Sequence, residues 1–226
     1  MKLSIVMPVL NEASGIAAAL TALAPLRARG AEVIVVDGGS GDGTAELARP
    51  LADRLLGAPR GRASQMNAGA AAANGDVLLF LHADTSLPEE ADRLVLDGLA
   101  RSGREWGRFN VSFDGGGALR LVALMMNWRS RLTSIATGDQ AMFMRRVAFD
   151  KVGGFPTIAL MEDVALSARL KRVSRPLCLT ARVSTSGRRW RRHGTLRTIL
   201  LMWLLRLRYF LGADPARLAR AYGYEP

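Results

Sequence analysis

Hydrophobic and polar positions in the first hundred residues follow two alternating periods. The runs KLSIVMP (2–8), EVIVVD (32–37), DRLLGA (53–58) and DVLLFL (76–81) are short and densely apolar, the pattern of strands buried on both faces. Between them, alanine- and leucine-rich stretches at 12–28, 44–51 and 62–74 predict helices; Asn11 or Ser14 can cap the first, and Asn74-Gly75 ends the third. Strands alternating with helices predict a mostly parallel central sheet covered on both faces, an α/β chain of three layers. Ligands bind such sheets at the carboxyl ends of the strands. Segments 8–12, 37–44 and 82–85 are therefore expected to converge on one cleft.

The second half is less regular. A strand near 107–113 precedes an amphipathic helix at about 118–134, the segment QAMFMRR (140–146), a short helix to Val152, the turn GGFP and a helix from about Glu162. There is no internal repeat and no low-complexity linker.

Composition narrows the class. The chain has 226 residues, 49% hydrophobic and 23% charged, which suits a folded protein with a sizeable core. One cysteine, Cys178, excludes an internal disulfide and fits a reducing, cytoplasmic compartment. Pro8, Asn11 and Glu12 interrupt the N-terminal apolar run before a signal peptide could form, and no uninterrupted apolar stretch reaches 18 residues. The net charge is +11, of which nine arginines against Asp214 and Glu225 place +7 beyond residue 187. Such a tail attracts anions, but no helix-turn-helix, zinc or RNA-binding signature accompanies it, so nucleic acid is not expected as a partner.

Three motifs carry candidate chemistry. In FLHADT (80–85), alternation puts His82 and Asp84 on one face of a strand end, leaving open metal ligands, an acid and base pair, or a solvated end. VDGGSGDGT (36–44) follows a strand and opens a helix, yet Thr44 stands where a dinucleotide fingerprint needs glycine, and no GxxxxGK[ST] occurs. Asp37 there can accept hydrogen bonds from a base or ribose, or cap its own turn. Glu162-Asp163 starts a helix, where acidic residues complement the dipole and where a carboxylate can also serve as general base.

Together PVLNE (8–12), VDGGSGDGT, RASQMNAGAAAANGD (62–76), FLHADT, RVAFDKVGGF (146–155) and Glu162-Asp163 resemble, in order and spacing, family 2 glycosyltransferases of the GT-A fold. The match covers roughly residues 3–173. The nearest likeness is to a small bacterial branch with an HADT metal motif, associated with arsenosugar biosynthesis. The resemblance implies a GT-A domain over 1–187, with a nucleotide-binding half to about residue 100 and an acceptor half beyond it, followed by a basic amphipathic helical tail over 188–226. It further implies inverting, divalent-metal-dependent sugar transfer from a nucleotide-diphospho-sugar to a hydroxyl of a small-molecule or lipid-linked acceptor. Asp84 would hold Mg²⁺ or Mn²⁺ against the diphosphate, an arrangement suited to hard oxygen ligands. Pro8, Asn11, Glu12, Asp37, Arg62, Asn67, His82 and Ala83 would join it in binding the donor nucleotide. Asp163 would be the base, beside Glu162. His82 stands where the family commonly has aspartate, and could ligate the metal, meet the ribose or fill the strand end. Asp139 and Gln140 in TGDQ are candidates for sugar or acceptor contacts.

The tail adds a further expectation. SGRRWRRHG (186–194) loosely resembles the QxxRW signature of processive members, with Ser186 in place of glutamine; Arg189 or Arg192 could reach the diphosphate. Residues 198–211 as a helix would extend about 21 Å, short of the roughly 30 Å hydrocarbon core. Trp190, Trp203, Tyr209 and flanking arginines suit a peripheral contact through 188–212 with the inner face of the cytoplasmic membrane; packing on the chain's own domain or in a homodimer is the alternative. Two rival functions are a sugar nucleotidyltransferase of related fold, against which PVLNE stands in place of a glycine-rich catalytic loop, and a non-catalytic basic module for nucleic acid or membrane, which would bind salt-sensitively without turnover.

Overall fold

The computed structural model describes residues 1–224, apart from the side chains of Arg189, Arg192 and His193. The chain builds β1 (Leu3–Val9), α1 (Ile16–Thr21), α2 (Ala24–Ala28), β2 (Glu32–Asp37), α3 (Thr44–Ala48), β3 (Arg54–Gly57), α4 (Arg62–Ala72) and β4 (Val77–Phe80). These are followed by β5 (Thr85–Ser86), α5 (Ala91–Ser102), β6 (Trp106–Phe113), α6 (Ala118–Thr133), β7 (Phe143–Arg145), α7 (Arg146–Lys151), α8 (Glu162–Leu170) and β8 (Leu177–Thr185). Helices α9 (Arg188–His193), α10 (Thr195–Phe210) and α11 (Pro215–Tyr222) close the chain.

All eight strands form one sheet in the order β3-β2-β1-β4-β7-β6-β8-β5. Strands β1 to β4 are wholly parallel. The other half is mixed: β7 runs antiparallel to β4 and β6, β8 is parallel to β6, and β5 is antiparallel to β8. Because β7 reverses direction once on each side, β6 and β8 point the same way as β1, β2 and β4. Their carboxyl ends therefore share one edge of the sheet.

Alternation along the strands divides the core between two faces. Ile5, Met7, Val33, Val35 and Leu79 pack with Leu20, Val95 and Leu99 on one side, while Val6, Ile34, Val36, Leu78 and Phe80 pack with Met66, Phe149 and Leu166 on the other. Buried area of this kind contributes roughly 25 cal/mol per Å² of apolar surface. A Cβ at Gly69 would lie 2.3 Å from a methyl of Val6, so α4 approaches β1 as closely as only glycine permits. The single helix expected over 12–28 is two, because Pro25 lies in the first turn of α2; lacking an N–H, it starts a helix better than it continues one. A third cluster joins Leu205 and Leu218 of the tail to Ile135, Met161 and Val164, so α10 and α11 pack on the domain.

Candidate functional site

The loops at the carboxyl edge are tied to one another on the β1 to β4 side. Nε2 of Gln65 donates to the carbonyls of Val9 and Val36, both at 2.8 Å, fixing the ends of β1 and β2. Asn11 adopts φ 54°; its N–H donates to Ser40 Oγ at 2.9 Å, and its Oδ1 accepts from the N–H of Gly41 at 3.0 Å. The Asp37 carboxylate accepts from the N–H groups of Gly39 and Ser40 at 3.0 and 2.9 Å, stabilising its own turn.

Below this edge opens a cavity of about 670 Å³, to which β1, the loop after β4, β6, β8, α4, α6, α8 and the tail all contribute. Asp84, in the turn between β4 and β5, and Glu12 face the Arg188 guanidinium from 4.0 and 3.9 Å. Burial pushes the Glu12 carboxyl up, with Asp84 and Asp42 adding to it and Arg188 and Arg62 opposing. His82 Nδ1 lies 3.5 Å from Asp139 Oδ1. Its ring rests on Gly138, where an added Cβ would come within 2.5 Å. Burial also pushes the Asp139 carboxyl up, but His82, Arg62 and Arg206 outweigh it and leave the group below its ordinary value.

At the opposite wall, Met161 in the left-handed region (φ 71°) turns the chain into α8. A non-glycine residue there costs on the order of 1–3 kcal/mol. Asp163 is held by two backbone donors, Gly138 N–H at 2.9 Å and Val164 N–H at 2.6 Å. Burial and the charge of Asp163 together raise its neighbour Glu162 to about 7.

Of the residues singled out in the sequence, Pro8, Glu12, Arg62, His82, Ala83, Asp84, Asp139, Glu162 and Asp163 line this one cavity. Asn11, Asp37, Asn67 and Gln140 are not among its lining. Asn11 and Asp37 hold the two neighbouring loops, as described. Asn67 pairs both its amide atoms with the backbone of Phe155, at 2.8 and 3.0 Å. Gln140 is buried, and its amide donates to Ser130 Oγ at 3.0 Å and reaches Asn127 Oδ1 at 3.3 Å. Trp190 packs edge-on against Phe113 with ring centroids 5.6 Å apart, and both line the cavity. The side chains of Arg189 and Arg192 lie outside the described residues.

The lining arginines that escaped the sequence reading are Arg129 on α6, Arg188 on α9 and Arg206 on α10. Nε and Nη2 of Arg129 and Nε of Arg206 are buried without a hydrogen-bond partner. Burial and then the nearby Arg206 pull Arg129 down to about 10 against the opposing charge of Asp163. Burial likewise lowers Arg206, opposed by Asp163 and Asp139. The available signal was an arginine next to a buried helical stripe: Leu119, Val122, Ala123 and Ser130 are the buried positions of α6.

The profile described as Glycosyl transferase family 2 matches residues 4–153, about two thirds of the chain. The chain belongs to glycosyltransferase family 2. Among curated relatives, this family 2 chain is 30% identical over 208 residues to the succinoglycan biosynthesis protein ExoA of Rhizobium meliloti, covering 80% of this chain and 61% of the relative. It is 31% identical over 164 residues to the undecaprenyl-phosphate 4-deoxy-4-formamido-L-arabinose transferase of Yersinia pestis, covering 64% and 48%. The chain thus spans about half to three fifths of these relatives. A solved mannosyltransferase of Pyrobaculum calidifontis, in complex with GDP-Man and Mn²⁺, superposes with a TM-score of 0.61 at 23% identity, covering 80% of this chain and 56% of that one. At that identity the likeness shows a shared fold, the α/β architecture of GT-A transferases.

Proposed function

We propose that this family 2 chain transfers a sugar from a nucleotide-diphospho-sugar to an acceptor hydroxyl in a single, inverting displacement. One observation carries the reading: Asp84 and Asp163, from distant parts of the chain, open onto the same cavity. Asp163, oriented by Gly138 and Val164, takes the proton from the acceptor hydroxyl; a positioned general base is worth on the order of 10² to 10⁴ in rate. Glu162 beside it, raised to about 7, keeps the local negative charge low near neutral pH. Arg188 and Arg62 face the site where charge develops on the departing diphosphate.

The residues fit a divalent cation of a particular kind. Among the described residues, no group of three or more His, Cys, Asp or Glu could hold a metal, but one carboxylate together with substrate phosphates is a common Mg²⁺ arrangement. Asp84 would hold Mg²⁺ or Mn²⁺ in that way, and the cation, when bound, neutralises the leaving diphosphate. The solved relative with GDP-Man and Mn²⁺ supports both donor class and cation.

The acceptor side favours an amphiphile. On α10, Leu196, Leu200, Trp203, Leu207 and Phe210 form an exposed apolar stripe, continued on α6 by Leu121, Leu124, Trp128 and Leu132. No helix among the described residues is long and apolar enough to cross a membrane, so this face would lie on a membrane surface. The relative acting on undecaprenyl phosphate supports a lipid-linked acceptor. A thermal-shift panel of nucleoside diphosphates and their sugar conjugates, with and without Mn²⁺, tests the donor reading: a cation-dependent rise in melting temperature is expected. No response to any of them would refute it.

A further inference from the structure

Away from the cavity, the most demanding buried group is Arg108 on β6. It is fully buried, and among the described residues no carboxylate forms an ion pair with it. Nη1 donates to Asn110 Oδ1 and Nη2 to the Asn127 carbonyl at 2.9 Å, while Nε is shielded from water with no acceptor. A buried donor left in that state costs about 1–3 kcal/mol, more when charged. Burial lowers Arg108 and Arg131 adds to this; the group that opposes them is the thiol of Cys178.

Cys178 is the one cysteine of the chain and the register partner of Arg108 across the parallel pair β6 and β8. Its neighbours Leu177 and Leu179 both face Gly98 of α5, so alternation turns Cys178 to the other side of the sheet. It is only half-buried, and its Sγ reaches the Pro176 carbonyl no closer than 3.9 Å. Thiol sulfur is a weak acceptor for a guanidinium. An anionic oxygen on that sulfur would be a strong one.

Arg108 is also the outer end of a buried polar chain. The Asn127 carbonyl that holds its Nη2 accepts from Ser130 Oγ at 3.0 Å, and the Gln140 amide donates to Ser130 Oγ at 3.0 Å and to Asn127 Oδ1 at 3.3 Å. Gln140 accepts in turn from the Thr137 N–H at 3.3 Å. Gly138, in the same turn, donates to Asp163 Oδ2 at 2.9 Å.

We infer that Cys178 is a site of reversible oxidation by peroxide, that Arg108 holds the resulting sulfenate, and that the change passes through Asn127 and Gln140 to the turn that orients Asp163. The thiol loses its proton to solvent, and the thiolate sulfur attacks one oxygen of hydrogen peroxide. As the S–O bond forms the O–O bond breaks, sulfur is oxidised by two electrons, and the departing hydroxide takes the proton of the new S–OH and leaves as water. The sulfenate oxygen gives Arg108 Nε the acceptor it lacks, and a thiol reductant reverses the step. Held from this side, Arg108 anchors the Asn127 carbonyl more firmly.

The test treats the full chain with hydrogen peroxide, traps sulfenate with dimedone and locates the adduct by peptide mass. Cys178 should label in wild type at least about tenfold faster than in R108Q, the factor that one charge-assisted hydrogen bond supplies. Without dimedone, oxidation should raise the melting temperature of wild type and slow amide exchange at Gly138, dithiothreitol should reverse both changes, and C178S should show neither. Should R108Q fail to fold, C178D and C178N decide: beside Arg108 the aspartate should melt higher, whereas a carboxylate lacking a partner would melt lower.

No adduct at Cys178, equal labelling in wild type and R108Q, or C178D melting below C178N would overturn the inference. Unchanged exchange at Gly138 in the oxidised protein would overturn the link to Asp163. Neither Arg108 nor Cys178 lines the cavity, so these outcomes leave the glycosyltransferase reading standing.

Discussion

The two sides of the cavity are built differently. On the β1 to β4 side nearly every polar group answers another: Gln65 spans β1 and β2, and Asn11 and Asp37 close their loops. On the α6, α8 and α10 side, guanidinium nitrogens are left unpaired and leucines and tryptophans face outward. Buried polar groups are normally satisfied, so the first side is a finished frame. The second is complementary to something it must bind.

Several substitutions would break or sharpen that contrast. The largest effect is expected from D163N, which keeps a carbonyl acceptor for one of the two backbone donors but removes the base; kcat should fall roughly 10² to 10⁴-fold while nucleoside diphosphate affinity, measured by titration, is kept. On the exposed stripe, L200E/L207E should reduce partitioning onto vesicles of phosphatidylcholine and phosphatidylglycerol by roughly a hundredfold, from the apolar burial two leucines provide. Unchanged partitioning accompanied by altered sedimentation would mean the stripe meets a second copy instead.

A pH effect comes next. Glu162 has its folded value raised to about 7 from an ordinary 4.5, so it opposes folding as pH rises through that window. The native state binds the extra proton there, and stability falls with pH. E162Q should remove this decline, a difference of up to about 3 kcal/mol between unfolding curves at pH 5 and pH 8; identical pH slopes in the two proteins would contradict it. The smallest change should come from the frame. N67A leaves the buried backbone of Phe155 without its two partners and should cost about 1–3 kcal/mol in denaturant unfolding, with nucleotide binding retained.

Legibility in the sequence tracked the same contrast. Strands β1, β2 and β4 announced themselves because full burial leaves an unbroken apolar run; the end of β1 and the loop after β4 meet at the cavity, whereas residues 37–44 after β2 do not line it. Strand β8 was not foreseen: LCLTARVST is only partly buried, with Arg182 and Ser184 facing out, and its pairing with β6 depends on a chain segment some seventy residues away. Helix α5 also went unassigned, although Ala91, Val95 and Leu99 hold the buried spacing of a helix. Asp84 and Asp163 were legible as candidates because a motif coincided with the loop after a strand in the one case and with the start of a helix in the other. Asn11 and Asp37 have equally conspicuous sequences, but Asp37 bonds within its own turn and Asn11 to the facing loop at Ser40 and Gly41, and short side chains such as these serve turns and loop contacts as readily as ligands. Arg129 and Arg206 could not be paired from sequence, since only the packing of α10 onto the domain brings two separate helices to one wall.

The central claim is that Asp84 supports a cation at the donor diphosphate while Asp163 works across the same cavity as base. Titrating UDP and GDP into wild type, D84A and D163N, each with and without Mn²⁺, tests it most directly. Mn²⁺ should tighten nucleotide binding in wild type and D163N and leave D84A unaffected. A Mn²⁺ response in D84A equal to that of wild type would contradict the account.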